Sequence, residues 1–201
     1  MVEKSGYHHG DLRQALIDAA IALIAERDAN SLSLREVARR VGVSHAAPYR
    51  HFQDKEDLLV AVAEQGFAGL TAAMLRGIDQ APDDPLERLA ATGIAYVQFA
   101  IAHPSHYRVM FGNFPLAKLA PPEGSNANIN AFGVLLKQIQ LGQEAGVVRP
   151  GDITQLGLVA WSLVHGLAML LIDRQLPFTQ PDEINALAIF VTHTLIEGLG
   201  V

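Results

Sequence analysis

Between Ser33 and Lys55 the chain reads SLREVARRVGVSHAAPYRHFQDK, with Gly42 between two short stretches of helical periodicity. This pattern excludes a single long helix and predicts two helices meeting at a tight turn of about three to four residues. The first opens with a capping box: the Ser33 hydroxyl is placed to accept from the Glu36 amide, and the Glu36 side chain to reach back to Ser33. Leu34, Val37, Ala38 and Val41 form its apolar face. Gly42 supplies the permissive backbone, Val43 plugs the angle, and Ser44 is a second N-cap that starts the next helix. Pro48 removes an amide donor and crowds the preceding turn, so it is tolerable only near a first turn. The second helix is therefore short, ending near Phe52.

The polar side chains of this stretch are mostly donors. Arg39 and Arg40 end the first helix, His45, Tyr49, Arg50 and His51 populate the second, and Lys55 follows it. Such groups bind phosphate oxygens, whereas only residues near the start of a recognition helix reach base edges. Those are Ser44, His45, Ala46 and Ala47, with Tyr49 and Arg50 beside them. The alanines permit close approach and contact with a thymine methyl, leaving His45 and Arg50 as the hydrogen-bonding readers. Taken singly, each arginine is equally well explained as solvating an exposed face. Cap, glycine turn, second cap and aromatic-basic helix in succession point instead to DNA.

The run VGVSHAAPYRHFQDKEDLL resembles the DNA-binding segment of the TetR family of bacterial transcriptional regulators, over about a quarter of the chain. The resemblance implies phosphate contacts at Tyr49, His51 and Lys55 and a core role for Phe52. Pro48 departs from the aliphatic residue usual there, which bears on the geometry of the recognition helix. The candidate DNA-contacting set is Ser33, Ser44, His45, Ala46, Ala47, Tyr49, Arg50, His51 and Lys55.

Net charge is −6, an unusual balance for a DNA-binding protein until it is divided by position. Residues 1–55 carry eight Lys or Arg against seven Asp or Glu, and residues 56–201 carry seven against fourteen. Long-range attraction to DNA is therefore weak, and binding is expected to depend on local contacts from the first part, doubled by dimerisation. Half of the 201 residues are apolar, enough for a sizeable core. The absence of cysteine excludes a disulfide framework and fits a cytoplasmic address. The opening MVEKSGYHHGDLR has no apolar run resembling a secretory signal.

Apolar periodicity predicts an all-α chain of nine helices, with an N-terminal three-helix DNA-binding unit containing the helix-turn-helix (1–55) and a larger helical part (56–201), which the TetR resemblance implies is a ligand-binding and dimerisation domain. The first helix spans Asp11–Glu26, preceded by an arm with Lys4, Tyr7, His8 and His9 that is either a backbone contact or an untethered terminus. Asp54 caps a helix running to about Ile78, weakened by Gly66 and Gly69. Further helices are expected at 85–102, 106–111, 126–144, 152–173 and 181–199, with a Pro- and Gly-rich loop at 112–125. Ile153–Ile172 contains no charged residue and is long enough to span a bilayer. Its polar residues, acidic ends and lack of flanking basic bias favour a buried core or dimer helix instead, with no membrane partner. Residues Ile184, Leu187, Ala188, Val191, Leu195 and Ile196 offer a matching stripe, and Gly157, Ala160, Gly166 and Ala168 are read as permitting close approach in a four-helix dimer bundle. TetR-like proteins pair through their last two helices. Trp161-Ser-Leu-Val-His165-Gly166 is similar to the signature of a WHG-type C-terminal subclass, and the segment His103–Phe111 to one found in such regulatory domains.

The same resemblance implies a small molecule held in the larger domain, whose occupancy changes the separation of the DNA-binding units. Tyr96, Phe99, His103, Tyr107 and Phe111 are candidate pocket residues, together with Phe132, Trp161 and His165; most such aromatics are also explicable as core. Met110, Leu136 and Met169 extend the set. His103 and His106 lack a nearby carboxylate or thiol, so no metal is expected, and no cofactor. The leading expectation is a ligand-responsive homodimeric repressor acting on operator DNA. The alternative is an activator or architectural protein whose large domain recruits a protein partner. An enzyme is disfavoured, because no nucleophile, phosphate loop or carboxylate pair accompanies the histidines.

Overall fold

The computed structural model describes residues 9–27, 29–112 and 130–200, so Lys4, Tyr7 and His8 of the expected arm and most of the 112–125 loop lie outside the described residues. Among the described residues eight α-helices follow one another: α1 (His9–Glu26), α2 (Leu34–Val41), α3 (Lys55–Gln80), α4 (Pro85–Ala102), α5 (Pro104–Phe111), α6 (Ala131–Glu144), α7 (Ile153–Ile172) and α8 (Pro181–Leu199). Single 3-10 turns stand at Ala29–Ser31 and Pro48–Arg50. Among the described residues the only β pairing is an isolated bridge between Val148 and Gly200.

Local chemistry sets the helix starts. Asp84 Oδ1 accepts from the Leu86 and Glu87 amides at 2.9 and 3.0 Å, and Pro85 occupies the first helical position, where an amide has no intrahelical acceptor. Asp152 accepts from the Gln155 amide at 2.9 Å and Asn130 from the Gly133 amide at 2.7 Å. At the head of α3 the capping is reciprocal. The Asp57 amide donates to Asp54 Oδ1 at 2.8 Å, while Asp57 Oδ2 accepts from the Gln53 amide at 3.0 Å.

The chain packs as two compact units, Met1–Gly66 with Ser105–Ala120, and Phe67–Pro104 with Pro121–Val201. The first holds α1, α2, the first turns of α3 and nearly all of α5, with Leu16, Ile17, Ile24, Val37, Leu58 and Leu59 fully or almost fully buried. Gly66 has a reason to lack a side chain: a Cβ there would stand 2.5 Å from Met110 Sδ. In the second unit α4 packs against α6, α7 and α8. The later turns of α3 approach it at Gly69, which faces the Phe99 ring, and at Gly77, which faces the Ala91 carbonyl. Both α3 and α7 are long and apolar enough to cross a membrane by length and composition. Within its unit α7 is packed against α4, α6 and α8.

Three local expectations are corrected. Where a ninth α-helix was predicted, residues 44–52 form successive turns ending in the 3-10 turn Pro48–Arg50. Pro48 has no amide to give to the Ser44 carbonyl, which accepts from Ala47 at 2.9 Å instead. The following bonds, Arg50 to Ala47 at 3.2 Å and His51 to Pro48 at 2.9 Å, keep the tighter spacing. Next, only half of the α2 capping box forms. Ser33 Oγ accepts from the Glu36 amide at 3.2 Å, but the Glu36 carboxylate accepts from Arg27 Nη1 at 2.9 Å rather than closing back. Last, the small residues of α7 mostly face inward. Gly157 meets Leu136 and Phe132 of α6, and Ala160 and Ala168 are buried; of the four, only Gly166 has open space over its Cα.

Candidate nucleic-acid interface and regulatory cavity

Gly42 makes the turn. Its backbone is left-handed, with φ 80° and ψ 27°, a conformation that costs a residue with a Cβ. The Gly42 amide donates to the Arg39 carbonyl at 3.2 Å, and the Val43 amide to the Ala38 carbonyl at 3.0 Å. This is the paired closure that satisfies orphan carbonyls at a helix end. The chain then enters residues 44–52 with Pro48 and Phe52 turned inward and buried, and the Arg13 guanidinium of α1 lies 5.4 Å from the centre of the Phe52 ring. Those two anchors leave Ser44, His45, Ala46, Tyr49 and Arg50 exposed along one edge, with Ala47, His51 and Lys55 half-buried. Ser33 is exposed as well, its hydroxyl engaged at the start of α2.

The arginines of α2 are not equivalent. Arg40 grips Glu26 of α1 through two bonds, of 2.6 and 3.1 Å. The hydrogen bond from Arg40 lowers the Glu26 carboxyl pKa from its usual value, and the same bond raises that of the guanidinium. Arg39 is more open and stands 3.6 Å from Glu36, which Arg27 also holds. Arg40, read from sequence as a donor toward DNA, is thus already committed to joining α1 and α2.

In the second unit a small cavity of about 20 Å³ lies among α3, α4, α6, α7 and α8. Of the sequence candidates, Tyr96 and Trp161 line it. His165 is joined to it through Tyr96: the Tyr96 hydroxyl and His165 Nδ1 share a 2.9 Å hydrogen bond, the proton's owner set by the imidazole tautomer. Burial pushes the His165 pKa below its ordinary value. Phe132 stands one ring behind, edge-on to Trp161 at 5.5 Å. Phe99 and His103 meet as tilted rings with centres 4.6 Å apart, outside the lining. Tyr107 and Phe111 pair at 4.8 Å in the other unit. The remaining wall is Met74, Leu89, Thr92, Gly93, Leu135 and Val164, with Thr192, Leu195, Ile196 and Leu199 from α8, and Ala160. Small and aliphatic residues of this kind carry no sequence mark that separates a cavity wall from ordinary core.

The outer faces of α7 and α8 keep large apolar side chains in solvent: Leu158, Val159, Leu163 and Leu170 on α7, Ile189 and Phe190 on α8, the last 67% exposed.

Residues 16–62 match the family described as bacterial regulatory proteins, tetR family, and residues 89–195 match the tetracyclin repressor-like C-terminal domain. The chain belongs to the TetR family. Among curated relatives, the HTH-type transcriptional regulator AcrR of Shigella flexneri is 33% identical over 89 residues, covering 44% of this chain and 41% of AcrR. An HTH-type transcriptional regulator of Mycobacterium tuberculosis is 29% identical over 146 residues, covering 71% of this chain and 62% of its own. The matches thus span less than two thirds of either relative. A solved structure from Rhodococcus sp. RHA1, of a protein of unknown function, superposes with TM-score 0.78 at 36% identity, covering 98% of this chain and all of that one. The family's relatives are transcriptional regulators, which are not enzymes.

Proposed function

We propose that this chain is a sequence-specific DNA-binding repressor of the cytoplasm, working as a homodimer and responding to a small molecule. The observation that carries the reading is the exposed edge Ser44, His45, Ala46, Tyr49 and Arg50, mounted on the buried Pro48 and Phe52. His45 and Arg50 reach base edges, Ala46 and Ala47 allow close approach, and Ser33, Ser44, Tyr49, His51 and Lys55 fix the backbone. Two copies pair through the apolar outer faces of α7 and α8, whose exposed leucines and Phe190 favour burial. The paired edges then meet successive major grooves of a pseudo-palindromic operator, with half-sites roughly 34 to 36 Å apart or a multiple of that.

A gel-shift titration against promoter DNA from the gene's own neighbourhood tests the reading. A site preferred over random duplex supports it, and equal binding to both overturns it. Arg50→Ala is expected to relax sequence preference, and Lys55→Ala to weaken binding to all sequences alike.

A further inference from the structure

We infer that Arg39 is a DNA-phosphate contact which Glu36 holds in the free protein, and that Arg27 keeps Glu36 paired when Arg39 crosses to the DNA. The inference deepens the reading of residues 44–52 as the DNA-facing edge and rests on it. Glu36, whose carboxylate does not close the capping box, acquires a task here: it sets how readily one cation of α2 is released.

A groove beside α2 is bordered by Glu26, Arg27, Glu36, Arg39 and Arg40. Three guanidinia there meet two carboxylates, so one positive charge is left over, and distance decides whose it is. Arg40 holds Glu26 through two hydrogen bonds of 2.6 and 3.1 Å, and Arg27 holds Glu36 Oε1 through one of 2.9 Å. Arg39 stands 3.6 Å from the same Oε1, beyond hydrogen-bonding range, with its side chain 76% exposed. The Glu36 side chain is only 18% exposed and is costly to leave unpaired. Withdrawing Arg40 would take from Glu26 both of its hydrogen bonds, whereas withdrawing Arg39 leaves Glu36 still bonded to Arg27. Arg39 is therefore the guanidinium that this cluster can release at least cost.

The face of α2 fits the same assignment. At 3.6 residues per turn, Arg35, Arg39 and Gly42 fall on one stripe. Glu36 and Arg40 fall on the neighbouring stripe, which reaches Arg27 and Glu26 at the end of α1. The chain leaves α2 at Gly42 for residues 44–52, so Arg35 and Arg39 lie along the side from which the recognition edge departs. In a helix-turn-helix the first helix crosses the phosphate backbone, and a releasable guanidinium on this side has a phosphate to meet. Arg35, exposed on the same stripe and making no ion pair or hydrogen bond among the described residues, provides an internal control: it has no carboxylate to exchange.

The intact protein is titrated against a labelled random-sequence duplex between about 50 and 200 mM salt, and the slope of log affinity against log salt is measured. Each variant is first shown to melt cooperatively. Arg39→Ala is expected to reduce the slope by about 0.9, the value of one phosphate, and Arg39→Lys to retain it. An unchanged slope in Arg39→Ala overturns the contact. Glu36→Gln removes the competing carboxylate and is expected to tighten binding about two- to fivefold. That gain is expected to vanish in the Arg39→Ala background and to persist in the Arg35→Ala background. An equal gain with and without Arg39 would mean repulsion of DNA by Glu36 alone and overturns the exchange. Arg27→Ala, which leaves Glu36 stranded on transfer, is expected to weaken binding about two- to fivefold, and clearly less once Arg39 is alanine. Equal losses in the two backgrounds overturn the role of Arg27. A parent that binds no duplex overturns both this inference and the DNA reading. Expected slopes without any preferred operator overturn the sequence-specific repressor alone and leave the Arg39 assignment standing.

Discussion

Substituting Gly42 isolates the energetic contribution of the turn that leads into residues 44–52. The residue sits at φ 80°, and a Cβ added there would meet nothing within 4 Å, so Gly42→Ala introduces no clash. The whole cost is then the left-handed backbone, about 1 to 2 kcal/mol for a residue with a Cβ. A few tenths are offset because alanine has less freedom to lose from the unfolded chain. A net loss of about 1 kcal/mol follows, which for a chain of this length lowers Tm by roughly 2 to 4 °C. Asparagine tolerates the conformation better and is expected to cost less, and β-branched valine more. Urea denaturation followed by circular dichroism gives the stability order, expected to be Gly above Asn above Ala above Val. Gel shift on the same variants gives the functional cost, since the closing bonds from Gly42 and Val43 aim residues 44–52. An alanine variant as stable as the parent, or an asparagine variant less stable than the alanine one, would refute the assignment of strain to this backbone.

Other perturbations separate the remaining parts of the structure. Phe190→Asp is expected to convert a dimer to a monomer in sedimentation analysis; an unchanged mass would remove α8 from the pairing surface. Arg40→Ala is expected to leave the salt dependence of DNA binding unchanged, because Glu26 already holds the guanidinium, and a slope reduced by about one unit would instead make Arg40 a phosphate contact. Burial lowers the His165 pKa, so below the ordinary imidazole value near 6.5 the unfolded chain binds more protons than the folded one. His165 therefore costs nothing at neutral pH, and its penalty grows as pH falls through that window. Thermal melts between pH 8 and 5 are expected to fall less steeply for His165→Gln than for the parent, and parallel profiles would contradict this.

The elements whose signals are local were legible in the sequence. Ser33, Gly42 and Asp54 announce helix ends through their own backbone neighbours, and the structure places the boundaries of α4 and α8 where the periodicity put them. The helix-turn-helix segment was legible for the same reason, because cap, turn and basic-aromatic run are consecutive. Pro48 was noticed too, but its consequence was underestimated. One missing amide was enough to leave turns where an α-helix was expected.

What required the tertiary structure was the assignment of faces. α7 is apolar nearly all round, so periodicity offered no way to choose its buried side, and the small residues expected at a dimer seam turned out mostly to face α6 and the core. Likewise, pairing Arg40 with Glu26 and Tyr96 with His165 joins residues far apart along the chain through geometry that spacing does not encode. Sequence alone determined where α2, α3, α4, α7 and α8 begin and that one turn displays donors, since those choices are made within a few residues. Which side of each helix is spent on the core, which donor is already occupied, and where a void remains were decided only by packing, because each depends on what another helix brings to meet it.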